Sequence, residues 1–98
     1  MKNTALLLGF SLCVTSLIAE SNWPQFRGPS GDGHSQATKL PIKWGDTENV
    51  TWKKRITGKG WSSPVIYGNQ IWMQTALDSG RSLRVVCIDK TSGKRLHM

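Results

Sequence analysis

Acidic side chains are scarce in this sequence. Asp and Glu number 6 against 13 Lys and Arg, and the formal net charge is +7. A calcium loop needs several oxygen ligands close together, and Asp32 stands alone in the only glycine-rich stretch that invites one. Histidine is scarcer still. His34 and His97 are the 2 present, and no Cys or His accompanies either at zinc-ligand spacing. Cysteine is equally thin, with Cys13 and Cys87 the 2 in the chain. Cys13 falls inside an apolar amino-terminal run, so the remainder holds a single thiol and no internal disulfide. Cys87 sits in Val85-Val86-Cys87-Ile88, where cysteine serves as a small apolar filler.

Long apolar runs are also missing, with one exception. Ala5 through Ala19 carries no charge, follows the basic start Met1-Lys2-Asn3, and stops at Glu20. It falls short of the roughly 20 residues that a spanning helix needs. Charged start, short apolar core and small residues at a cut make the signal-peptide pattern. Ala19 and Ser21 supply small residues at −3 and −1, which predicts a leader over residues 1–21. Cutting after Ala19 instead places Leu17 at −3. The residue before Cys13 is Leu12, too large for a lipid-acceptor site. The pattern therefore predicts a periplasmic or secreted protein with no stable membrane span after signal cleavage. Lys2 and Glu20 cancel, so the charge of the remainder stays +7.

What the chain does have is turn formers, tryptophan and strand-like alternation. Residues 22–49 hold Pro24, Gly28, Pro29, Gly31, Gly33, Pro41 and Gly45 and keep neither the helix nor the strand period. They predict an extended, loop-like segment with Trp23, Phe26, Leu40, Ile42 and Trp44 as anchors. Gly28-Pro29-Ser30-Gly31-Asp32-Gly33 is not a phosphate cradle, because no helix follows it and no Gly-Lys-Ser/Thr closes it. Asn49-Val50-Thr51 matches the glycosylation acceptor pattern, a three-residue match that would carry no meaning in a bacterial export context.

From residue 50 onward the period is two. Val50, Trp52, Lys54 and Ile56 share one face of an expected strand over 50–57. Lys53-Lys54-Arg55 is the densest basic patch, and it reads as a solvated strand face rather than a nucleic-acid surface. Gly60-Trp61-Ser62-Ser63-Pro64 lacks the second glycine of a nucleophile elbow, and no helix follows. Val65-Ile66-Tyr67 faces the start of a second strand, Gln70-Ile71-Trp72-Met73-Gln74-Thr75, across the hairpin turn Gly68-Asn69. Asp78-Ser79-Gly80-Arg81 leads into a third strand over 82–89, apolar on both faces, which expects cover on both sides. Lys90-Thr91-Ser92-Gly93 turns the chain into the start of a fourth. One meander cannot cover two apolar faces alone, and similar sheets on either side are the physical condition of a propeller blade.

Asp89-Lys90-Thr91-Ser92-Gly93-Lys94-Arg95-Leu96 resembles the repeat signature of pyrroloquinoline-quinone-type β-propellers. His97 stands where that family usually places Trp, a departure. Trp23-Pro24-Gln25-Phe26-Arg27-Gly28-Pro29, Trp52-Lys53 and Trp61-Ser62-Ser63-Pro64-Val65 resemble the amino-terminal part of exported bacterial members. The resemblance covers residues 23–97. It implies an all-β fold, the first and incomplete blade of a truncated β-propeller. Residues 1–21 are then the signal peptide and 22–49 an extended segment. Residues 50–98 hold a ring-closing strand and that blade. The expected partners are the missing blades of the same polypeptide, with no nucleic acid.

Two functions follow from the resemblance. One is an exported scaffold or binding propeller. The alternative is the amino-terminal piece of an alcohol or sugar dehydrogenase using pyrroloquinoline quinone and calcium, both belonging only to a full-length protein. A third reading is a small barrel stacking sugars on Trp52, Trp61 or Trp72. No residue of this sequence is nominated as catalytic, cofactor-binding or metal-ligating.

Overall fold

A computed structural model of the chain describes residues 22–98. The expected leader over 1–21 lies outside the described residues. Four strands follow one another: β1 (Val65–Tyr67), β2 (Gln70–Leu77), β3 (Ser82–Asp89) and β4 (Arg95–His97). They form a single sheet in the order β1-β2-β3-β4, with every neighbouring pair antiparallel. The described residues are thus all-β, built on a four-strand antiparallel meander.

The turns explain the register. Tyr67 pairs with Gln70, so only Gly68 and Asn69 lie between β1 and β2. Gly68 takes φ 57, a left-handed value that suits glycine at the first central position of a two-residue hairpin loop. Between β2 and β3 the chain turns through Asp78 (φ 50), Ser79 (φ 56) and Gly80 (φ 89), closed by Arg81 N–H donating to the Asp78 carbonyl at 3.2 Å. β2 and β3 then pair without a slip from Leu77↔Ser82 to Gln70↔Asp89. In β4, Arg95 pairs with Ile88 and His97 with Cys87, so Leu96 is an extra residue that bulges the edge strand.

Alternation along β2 and β3 assigns the two faces. Ile71, Met73, Thr75 and Leu77 share one face with Ile88, Val86, Arg84 and Ser82. Trp72, Gln74 and Ala76 share the other with Cys87, Val85 and Leu83. Val86, Cys87 and Ile88 are consecutive and all buried, so both faces are covered at that end of β3. At the opposite end Leu83 is 79% and Val85 50% exposed. The cover expected on both sides of β3 thus exists for its second half only.

The approach segment is loop-like, as its composition predicts: residues 22–49 contain no helix or strand. It is tied to the sheet at β1. Trp23 N–H donates to the Ile66 carbonyl and Ile66 N–H to the Trp23 carbonyl, each at 2.8 Å. Asn22 Oδ1 accepts from Gly68 N–H at 2.8 Å. The strand expected over 50–57 is not formed: none of these residues joins a ladder among the described residues. Its alternation instead records two side-chain anchors, Trp52 and Ile56, both half-buried between exposed Lys53, Lys54 and Arg55. A period of two shows which side chains turn inward. It does not supply the neighbouring edge that a strand needs for its N–H and C=O groups.

Candidate functional site

Among the described residues, two places bring polar or aromatic chemistry together. The first is the corner between β3 and β4. Asp89 Oδ1 accepts from Ser92 N–H at 2.7 Å and from Ser92 Oγ at 2.8 Å. Its Oδ2 accepts from Asn69 Nδ2 at 2.6 Å. Lys90 N–H donates to the Asn69 carbonyl at 2.8 Å, and Thr91 Oγ1 donates to Asn69 Oδ1 at 2.7 Å. One carboxylate and one amide therefore bind the β1–β2 turn to the β3–β4 turn. The Ser92 backbone N–H, then its hydroxyl, hold the Asp89 carboxyl below the usual carboxylate range, with further help from Thr91 N–H and the Lys94 charge. A carboxylate so fully bonded is a strut, not a base.

Gly93 completes the corner at φ 72, its N–H donating to the Asp89 carbonyl at 2.9 Å. A Cβ there would lie 2.6 Å from Cδ2 of Trp52. The indole thus rests directly on the glycine, and Trp52 Nε1 donates to the Lys90 carbonyl at 2.9 Å. Beside this corner the sheet is sealed by an aromatic pair. The rings of Trp72 and His97 stack with centroids 6.3 Å apart and planes 14° from parallel. His97, the departure from the repeat pattern, thereby covers Cys87 from the neighbouring strand. Burial, then the Asp89 charge, pushes the Cys87 thiol up, away from the reactive thiolate.

The second place is a groove of about 370 Å³ beside β2, walled by Trp61 and floored by Gln74, Ala76, Leu83 and Val85. Its shape follows from Ser62. The Ser62 hydroxyl accepts from Gln74 N–H at 3.0 Å and donates to the Gln74 carbonyl at 3.2 Å, in place of a backbone partner. Main-chain pairing resumes at Lys59, whose N–H donates to the Ala76 carbonyl at 3.0 Å. Between them Gly60 passes so close that a Cβ would sit 2.8 Å from the Gln74 carbonyl oxygen. Trp61 is thrown outward and is fully exposed. Thr75, on the opposite face, is buried and donates its hydroxyl to the Thr57 carbonyl at 2.8 Å.

The residues weighed from sequence fall into place accordingly. Of the three tryptophans proposed as sugar platforms, Trp52 and Trp72 are committed to internal partners. Trp61 alone keeps an open face, a difference that no periodicity foretells, because it comes from a serine side chain standing in for main chain. In the Gly28–Gly33 loop the glycine amides are spent internally, on Gln25, Gly28 and Arg27 carbonyls, and cradle no anion. Asp32 accepts from the His34 N–H at 3.0 Å. Among the described residues no group of three or more His, Cys, Asp and Glu is placed to hold a metal ion. Asp89, Asp46 and Asp32 are each engaged locally, by Ser92 and Asn69, by Lys53, and by His34. No protein-family model matches the chain, and no characterised protein or solved structure matches it closely enough to indicate kinship.

Proposed function

We propose that residues 50–98 are the opening blade of an exported β-propeller that acts as a scaffold or binding surface, with residues 1–21 as its export leader. The reading rests on one observation. The meander carries the Asp89–Gly93 corner on which the family resemblance stands, while Leu83 and Val85 remain uncovered on one face. A sheet with an uncovered apolar half is satisfied by a second sheet about 10 Å away, the arrangement that a ring of blades repeats. Trp52 seated on Gly93 supports the same reading, since it shows a preceding segment gripping the corner of the next one. On this reading residues 50–57 find their ladder on the last blade of the ring, and the partners are further blades of the same polypeptide.

The test has two arms. The reading frame beyond codon 98 is expected to encode further Asp-x-x-x-Gly repeats. The chain of residues 1–98, produced alone, is expected to keep the β2–β3 pairing but to melt broadly and to aggregate through the uncovered Leu83 and Val85. A sharp cooperative melt with well-dispersed amides would overturn the one-blade reading.

A further inference from the structure

We propose that residues 39–55 form a docking surface for an anionic lipid bilayer. The segment is a built turn. Gly45 N–H donates to the Glu48 carbonyl at 2.9 Å and Glu48 N–H returns to the Gly45 carbonyl at 3.2 Å. Asn49 Nδ2 closes it on the Lys43 carbonyl at 2.8 Å. Lys53 Nζ ties it to Asp46 Oδ1 at 2.6 Å. Leading into this turn the chain presents Leu40 at 66%, Ile42 at 92% and Trp44 at 72% exposure. Lys39 and Lys43 alternate with them, and Lys53, Lys54 and Arg55 follow, all exposed.

The charge chooses the occupant. Against these five cations stand only Asp46 and Glu48, and Asp46 is already paired with Lys53. Lys39, Lys43, Lys54 and Arg55 thus face outward with one carboxylate among them. A surface that takes Leu40, Ile42 and Trp44 must offer hydrocarbon, which a nucleic acid does not. One that takes the cations must offer dense negative charge, which a neutral protein face does not. An anionic bilayer offers both within a few ångströms of depth, and tryptophan prefers the boundary between them. Lys39 through Trp44, which carry the apolar side chains and the two cations varied below, precede the 50–57 segment that the propeller reading assigns to the ring, so the two readings fail separately.

The experiment uses the full chain and vesicles of phosphatidylglycerol or of phosphatidylcholine, with and without bromine on the acyl chains. All 5 tryptophans lie beyond residue 22, and Trp44 is well removed from the leader, so the part of the quenching that depends on Trp44 reports this surface rather than the leader. Brominated phosphatidylglycerol is expected to quench part of the emission, and Trp44→Ala to remove that part. The double variant Lys39→Glu with Lys43→Glu is expected to weaken binding by about tenfold or more at low salt. Quenching that is undiminished in Trp44→Ala overturns the proposal. So does equal binding to both lipids, or wild-type binding by the double variant, which assigns attachment to the leader. A wild-type chain without quenching overturns it too and leaves the patch to a protein partner.

Discussion

Gly93 and Ser79 both occupy left-handed backbone, at φ 72 and φ 56, but with opposite chemistry. Gly93 has no Cβ to strain, and the space where one would stand is filled by Trp52. Ser79 carries its Cβ in a conformation that costs an L-residue about 1–2 kcal/mol. The two positions therefore predict substitutions of opposite sign. Gly93→Ala should destabilise the corner by about 2 kcal/mol or more, because strain and the expulsion of an indole combine. Ser79→Gly should stabilise the β2–β3 turn by up to about 1 kcal/mol, the strain relieved less the chain entropy glycine adds. Amide exchange at Asp89–Lys94 and at Leu77–Ser82 measures the two separately. At this scale the sequence is only partly legible. Glycine at 93 marks a turn plainly enough. Nothing in the string separates Trp52, docked on that glycine, from Trp61, wholly exposed. The distinction depends on Ser62 presenting its hydroxyl to the main chain of Gln74, a contact across 12 positions.

The elements were far more readable, because hairpin chemistry is local. Gly68-Asn69, Asp78-Ser79-Gly80 and Lys90-Thr91-Ser92-Gly93 turn the chain where their composition says, and the third strand spans 82–89 as read. The second strand runs two residues further than the sequence reading, to Leu77, since its pairing with β3 continues up to the turn. Only the strand expected at 50–57 fails to form, for want of an edge beside it. The corner that links the turns also carries a pH dependence. Asp89 is held lower in the folded chain than the ordinary aspartate value near 3.9. Below that ordinary value the unfolded chain takes up the proton first. The stability from the ionised carboxylate is therefore complete above about pH 5 and is lost as pH falls through the folded value. Strand signal followed by circular dichroism should fall in that window. Asp89→Asn should flatten the dependence and lower the plateau.

For the molecule as a whole, the apolar surface left open matters more than the small core. Among the described residues, Val86, Cys87 and Ile88 are the buried hydrophobic ones, while Leu83, Val85 and Trp61 lie bare on or beside the same sheet. A net charge of +7 keeps copies apart at low ionic strength. Screening by salt removes that protection without covering the apolar face. Light scattering from the full chain should therefore rise with added salt. Leu83→Lys should suppress the rise while leaving the pairing of β2 with β3 intact, since an exposed β3 position tolerates the change. Suppression by that variant was not something the string alone could place: alternation marks Leu83, Val85 and Cys87 as one face but does not say which of them stays bare.

The Asp89–Asn69 link also fixes how the sheet comes apart. Both turns that it joins lie at one end, with Val86, Cys87 and Ile88 beside them. The other end holds the strained Asp78–Gly80 turn and the bare Leu83. Fluctuations must therefore enter from the Leu77–Ser82 end and travel toward the corner. The sheet behaves as a fan held at its rivet, and the last structure to be lost is the knot of side chains at Asp89.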